Sequence, residues 1–130
     1  MTDLTVIILT KNEEKNIEKC INSFKNVAKR FVVVDSYSTD NTEKICEKIN
    51  KKLKEKGVSL DFYQNSWVDY ATQFNWAINN TNINTEWTMR MDADEELLPE
   101  LANEIDERLP KIDSKISGII LRRRVIFMKK

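Results

Sequence analysis

The stretch "RMDADEE", residues 90–96, sets four carboxylates in five positions directly behind "INTEWTM", a run of apolar and β-favouring residues. Like charges this close resist ionisation beside one another, so the cluster is either simply solvated or built to meet a cation. Asp92 and Asp94, two residues apart, have the chemistry of a hard-ion site. Mg²⁺ and similar hard ions are commonly held by one or two acids, with water and substrate phosphates as the remaining ligands. A calcium loop of the EF-hand kind starting at Asp92 would need Gly and Glu where Leu97 and Asn103 stand. A phosphoryl-accepting receiver would need an acidic pair after the first strand, where "TKNE" occurs instead.

Two more polar groups follow apolar runs: Thr10, Lys11, Asn12 and Glu13, then Asp35, Ser36, Tyr37 and Ser38. Asn, Asp, Ser and Thr form turns and caps in any protein. Asn12, Asp40 and Asn41 read best that way, whereas Asp35 and Asp92, acids directly behind buried strands, read as functional.

Composition removes many alternatives. The chain has no histidine, which excludes His-based zinc sites and Ser/His or Cys/His catalysis from its 130 residues. Gly57 and Gly118 are the only glycines, so neither a P-loop nor GxGxxG can be written. Lys and Arg balance Asp and Glu at 21 each, giving no overall basic excess for nucleic acid, and none is expected as a partner. Cys20 and Cys46 lie far apart on the apolar sides of helical patterns and read as small hydrophobes. The longest apolar runs are strand-sized and no signal-peptide core opens the chain, so a soluble, cytoplasmic protein of one domain, residues 1–130, is expected.

The elements that must position these groups alternate in type. "LTVIILT" at 4–10 and "FVVV" at 31–34 are β-branched runs of the kind buried on both faces of a parallel sheet. Asn12 can cap a following helix with Ile17, Cys20, Ile21 and Phe24 inward. Asp40 with Glu43 forms a candidate capping box for a second helix with Ile45, Cys46, Ile49 and Leu53 inward, closed by Gly57. Further strands are expected at Val58–Tyr63 and Trp87–Met91. A third helix is expected at Trp67–Ile78, with Tyr70, Ala71, Phe74, Ala77 and Ile78 inward. Pro99 opens a helix carrying Leu101, Ile105 and Leu109, and "GIILRRRVIFM" supplies a fifth strand. Strand-then-helix repetition predicts an α/β fold, a three-layer sandwich with a mainly parallel sheet, whose ligand site lies outside the carboxyl ends of the strands. All three polar groups fall there.

"VIILTKNEEKNIEKCINSF" at 6–24, "VVVDSYSTDNTEKI" at 32–45 and "WTMRMDADEELLPEL" at 87–101 together resemble the nucleotide-diphosphosugar-binding half of family 2 glycosyltransferases of the GT-A fold. The likeness covers about residues 4–128. "WVDYATQFNWAI" and "RRRVIFM" look closest to bacterial lipopolysaccharide-core β-1,4-glucosyltransferases. The resemblance implies that Thr10, Asn12 and Glu13 line a nucleotide pocket and that Asp35 hydrogen-bonds the base with Ser38 nearby. It also implies that Asp92 contacts the ribose or sugar, and that Asp94, with Asp92, holds Mn²⁺ or Mg²⁺ on the diphosphate as a DxD motif. Related enzymes often carry Arg where Phe74 stands, which leaves Gln73 and Asn75 as donor contacts.

The activity implied is inverting, metal-dependent transfer of a hexose, glucose by the narrower likeness, from a UDP-sugar to a glycan or glycolipid acceptor. The setting would be lipopolysaccharide or other cell-surface polysaccharide synthesis. In the resembled enzymes the general base lies beyond the metal motif. Glu100, Glu104, Asp106, Glu107 and Asp113 read as a solvated helix face, so no base is assigned and a nucleotide-sugar binding module without turnover stands as the alternative. A sugar-phosphate nucleotidylyltransferase would need a Gly-rich loop after the first strand. Arg122, Arg123 and Arg124, with Lys129 and Lys130, leave two readings open: contact with a phosphorylated acceptor or an anionic membrane surface, or charges that protect an edge strand from aggregation.

Overall fold

The computed structural model describes residues 2–24 and 27–108 and the backbone of Val125–Phe127. Four parallel strands form the central sheet: β1 (Leu4–Thr10), β2 (Arg30–Asp35), β3 (Ser59–Gln64) and β4 (Trp87–Asp92), in the order β3-β2-β1-β4. The helices are α1 (Ile17–Phe24), α2 (Thr42–Lys54), α3 (Tyr70–Asn80) and α4 (Pro99–Arg108). A short strand β5 (Glu95–Leu97) pairs antiparallel with β6 (Val125–Phe127). The fold is α/β, as the alternation of elements predicts. Among the described residues no helix is long and apolar enough to cross a membrane.

β1 is buried from end to end and β2 from Phe31 to Asp35, on both faces, which is why these runs show no polar alternation. Side chains one residue apart enter different cores. Val6, Ile8, Phe31 and Val33 pack with α1, α2 and α4 through Ile17, Cys20, Ile21, Cys46, Ile49 and Ile105. Ile7, Leu9, Val32 and Val34 meet Ala77 of α3 on the opposite side. Phe24 and Phe31 add an edge-to-face contact at 5.8 Å. The two cysteines are free and buried, as their apolar settings suggest. Gly57 takes φ +76° and ends the α2 turn, with Val58 N–H donating to Leu53 O at 3.0 Å.

Register places the chemistry. Thr10 pairs with Asp35, Asp35 with Gln64, and Leu9 with Asp92, so the carboxyl ends of all four strands finish level and their following loops share one edge.

Several local expectations are corrected. Asn12 does not cap α1, which begins at Ile17; it takes φ +52° and turns its amide toward the loop after β2. The Asp40–Glu43 capping box does not form. Asn41 occupies the cap position without a side-chain bond, while Asp40 Oδ1 accepts from Thr42 N and Oγ1. Helix α3 starts at Tyr70, capped by Asp69, whose carboxylate accepts from Thr72 N at 2.7 Å. Its buried residues are Gln73 and Ala77; Tyr70, Ala71 and Ile78 are exposed and Phe74 is half-buried. The reason is polar: Gln73 is buried because every arm of its amide is satisfied, and it sets the rotation of the helix. Of the expected fifth strand only Val125–Phe127 is described, and it pairs with β5 rather than extending the parallel sheet. Leu109, Asp113, Arg122–Arg124, Lys129 and Lys130 lie outside the described residues.

Candidate functional site

A cleft of about 700 Å³ opens at the carboxyl edge of the sheet. Thr10 at the end of β1 with Lys11 and Glu13 beyond it, Ser36 and Tyr37 from the β2 loop, Trp67 and Tyr70 before and within α3, and Asp92 at the end of β4 with Asp94 beyond it all line it. Its size suits a nucleotide-sized ligand.

Beneath the floor sits Asp35, with no exposed surface. Its Oδ1 accepts from Thr10 Oγ1 and Ser38 Oγ, each at 2.6 Å, and its Oδ2 from Ser38 N at 2.8 Å. Ser38 Oγ in turn accepts from Asn12 N at 2.7 Å. Asn12 Oδ1 accepts from Thr39 N at 2.8 Å and Asp40 N at 3.3 Å. Glu13 N donates to Thr42 Oγ1, Glu14 N to Asp40 Oδ2, and Lys11 Nζ to the carbonyls of Ser36 and Tyr37. The two loops are therefore stitched to each other by side chains that reach across. Burial tends to raise the Asp40 pKa, but the bonds from Thr42 and the backbone outweigh it and hold this carboxyl below its ordinary range.

Gln73 braces the neighbouring wall. Its Oε1 accepts from Asn65 Nδ2 at 2.8 Å, and its Nε2 donates to Asn65 O at 3.0 Å and Ser36 Oγ at 3.2 Å. Asn75, the other expected donor contact on α3, is exposed and does not line the cleft. Above Gln73, Trp67 and Tyr70 pack edge-to-face at 4.8 Å, and the Arg90 guanidinium lies over the Tyr70 ring at 5.4 Å.

The acid turn is organised differently. Glu95 is buried and bends back so that Oε1 accepts from Asp92 N at 2.6 Å. Burial pushes its pKa up; the bond from Asp92 N opposes this, while the Asp92 and Asp94 charges add to it. Under the turn, Cys20 Sγ meets Asp92 O at 3.6 Å. Burial, reinforced by the carboxylates above, keeps this thiol protonated far above its usual range, so it is no soft metal ligand.

Asp92 and Asp94 thus present hard oxygens to a cleft whose charged lining, among the described residues, is Glu13, Asp92 and Asp94 against Lys11. Among the described residues no three His, Cys, Asp or Glu side chains converge on one point, so an all-protein cage is not built. Two acids beside an open cleft fit an ion that keeps water and takes ligand phosphates, as Mg²⁺ and Mn²⁺ do.

Of the expected site residues, Thr10, Glu13, Asp92 and Asp94 face the cleft. Asp35 and Gln73 stand behind it as braces, Asn12 and Ser38 tie the loops, and Asn75 stands apart. Glu95, Lys11, Trp67 and Tyr70 were not read as site residues. Lys11 had a signal, since it directly follows the first strand. Glu95 had one as well, three residues beyond an acid that ends a strand. Tyr70 reads instead as helix core, and Trp67 as the first residue of that helix.

Comparison with known proteins gives a consistent set. The sequence signature of Glycosyl transferase family 2 matches residues 5–129. An uncharacterized glycosyltransferase of Rickettsia bellii is 40% identical over 103 residues, covering 79% of this chain and 31% of the relative. The lipopolysaccharide core biosynthesis glycosyltransferase LpsC of Rhizobium meliloti is 34% identical over 111 residues, covering 80% of this chain and 38% of that protein. Among solved structures, S. aureus TarS 1-349 in complex with UDP-GlcNAc superposes with TM-score 0.65 at 25% identity, over 85% of this chain and 32% of its own. The mannosyltransferase PcManGT from Pyrobaculum calidifontis, in complex with GDP-Man and Mn²⁺, gives 0.64 at 25%, over 80% and 31%. The chain spans about a third of the length of the proteins it matches.

Proposed function

The chain belongs to glycosyl transferase family 2, and on that footing we propose that it forms the donor-binding part of a metal-dependent hexosyltransferase acting on cell-surface glycans. The observation that carries this reading is the convergence of Asp92 and Asp94 with Thr10, Lys11 and Glu13 on one cleft at the carboxyl edge of a parallel sheet. That edge is where open α/β sheets bind ligands.

A divalent ion held by Asp94 and Asp92 would offset the charge that develops on the departing nucleoside diphosphate. The chain's own residues orient the donor. Thr10 and Glu13 stand over the braced β1 loop, and Asp35 and Ser38 fix the β2 loop beside it. Glu95 holds the Asp92 backbone so that the carboxylates of the turn stay on the cleft side. A UDP-sugar is the donor we favour. The bound UDP-GlcNAc of TarS supports a nucleotide sugar, and the role in LpsC's name supports a lipopolysaccharide or related glycolipid acceptor. Glucose as the sugar follows from the narrower sequence likeness, and inversion at C1 from the resemblance to the family.

A second reading is donor binding without turnover by this chain alone. The acids of α4 favour it, because none of them lines the cleft: Asp106 accepts from Thr2 Oγ1 and Glu104 pairs with Arg108. Thermal unfolding with UDP and Mn²⁺, singly and together, tests the common core. Joint stabilisation is expected, and its absence would remove both readings. Transfer or donor hydrolysis that disappears in Asp94→Ala separates an enzyme from a binding module.

A further inference from the structure

We propose that Tyr37 supplies the stacking face for the base of the bound nucleoside diphosphate, an inference that rests on the donor-binding reading above. Tyr37 holds φ +55°, a left-handed conformation that a bulky L-residue rarely adopts and that glycine takes without cost. The loop imposes it through main-chain bonds alone. Tyr37 N–H donates to Gln64 Oε1 at 2.8 Å, and Tyr37 O accepts from Lys11 Nζ at 3.1 Å. A glycine would keep both bonds and shed the strain.

The side chain makes no polar or ring contact that would offset this strain among the described residues. It is 56% exposed, and among the described residues its ring packs on no other ring and its hydroxyl meets no hydrogen-bonding partner. The neighbouring cleft aromatics differ: Trp67 and Tyr70 pack on each other, and Tyr70 also carries Arg90. Among the described residues Tyr37 is therefore the cleft aromatic that no other ring or cation engages. Strain of this kind clusters at ligand-binding sites.

Position identifies the ligand group. Along the sheet edge the order is β3-β2-β1-β4, so the loop after β2 stands two strands from Asp92. That is roughly 10 Å at the usual strand spacing. A nucleoside diphosphate held by its phosphates at Asp92 and Asp94 and lying along the strand ends would bring its base to about that place. Every base has a π face, so the ring adds affinity without choosing the base. Base choice would rest on other groups of the cleft.

Binding of UDP and of inorganic pyrophosphate, each with Mn²⁺, to wild type, Tyr37→Gly and Tyr37→Phe tests the assignment. Tyr37→Gly is expected to melt no lower than wild type, to weaken UDP about five- to 150-fold, the range carried by stacking on one ring, and to leave pyrophosphate within about twofold. Tyr37→Phe is expected to bind UDP like wild type. Unchanged UDP affinity in Tyr37→Gly would overturn the proposal, as would equal losses for both ligands or a lowered melting temperature. A large loss in Tyr37→Phe would overturn stacking by assigning the effect to the hydroxyl. If wild type bound neither ligand, the donor-site reading itself would fall, and this inference with it. If wild type bound UDP but Tyr37→Gly did so equally well, only this inference would.

Discussion

The loops after β1 and β2 and the turn after β4 border the same cleft and are held in opposite ways. The first pair is knitted together across the strand boundary. Asp35 gathers Thr10 and Ser38, Asn12 gathers Thr39 and Asp40, and Lys11 spans to Ser36 and Tyr37. The acid turn sits on the outermost strand of the sheet, gathers carboxylates that repel one another, and is tied back by Glu95 and the carbonyl contact of Cys20. The difference teaches which part of the site the polypeptide completes by itself. The loops after β1 and β2 are completed by their own hydrogen bonds on folding, whereas the acid turn keeps together carboxylates whose repulsion a cation would relieve.

The contrast breaks most severely at Asp35. Asp35→Ala removes the acceptor of two hydroxyls and a backbone N–H in a buried position, and about 3 kcal/mol of stability should go with it, measured by chemical denaturation. A loss under about 1 kcal/mol would mean that the loops stand without their buried acid. Next is the acid side. Asp94→Asn should cost little stability without metal, because it relieves like-charge repulsion. It should nevertheless weaken Mn²⁺-dependent UDP binding about a hundredfold, which is about 2.7 kcal/mol. If Asp94→Asn destabilised the metal-free chain as much as Asp35→Ala does, the two sides would not differ in kind.

Asn12→Ala should cost about 2 kcal/mol, half from the amide bonds and half from placing Ala at φ +52°. Asn12→Gly keeps only the first half, so the pair separates strain from hydrogen bonding. The smallest effect is acidic. The Asp40 carboxyl lies below its ordinary value of 3.8 in the folded chain, so its contribution is fully present above that pH and is lost as pH falls through the lowered value. Stability should decline slightly below about pH 4, and the decline should be shallower in Asp40→Asn. An unchanged profile in that variant would remove Asp40 from the acid response.

Much of this architecture could be read from residue order. β1 falls on Leu4–Thr10 as expected, β2 and β4 differ by a residue at their ends, and the acids that follow them land on one edge because parallel strands finish together. Burial on both faces wrote those strands as unbroken β-branched runs. What escaped were features set by contacts distant in sequence. The α3 periodicity suggested an apolar face through Tyr70 and Ile78, but Gln73, satisfied by Asn65 and Ser36, turned the helix the other way. Asn12 and Asp40 had the composition of helix caps, yet their best partners lay in each other's loops. The three-residue strand β5 has a partner far along the chain and no local β signature of its own. In the site, strand ends pointed to the acids that the fold gathers at the cleft edge, while the division between cleft lining and brace depended on burial that no local pattern encodes.

The buried thiols offer the chain a way to report on itself. Cys20 lies beneath the Asp92 carbonyl, and Cys46 lies on α2, where burial pushes its pKa up to about 12. Neither reacts readily while the chain is closed, so the rate at which each is alkylated counts openings of its own neighbourhood. A ligand that quiets the acid turn would slow the clock at Cys20 more than the one at Cys46, and the ratio of the two would register occupancy with no label added to the protein.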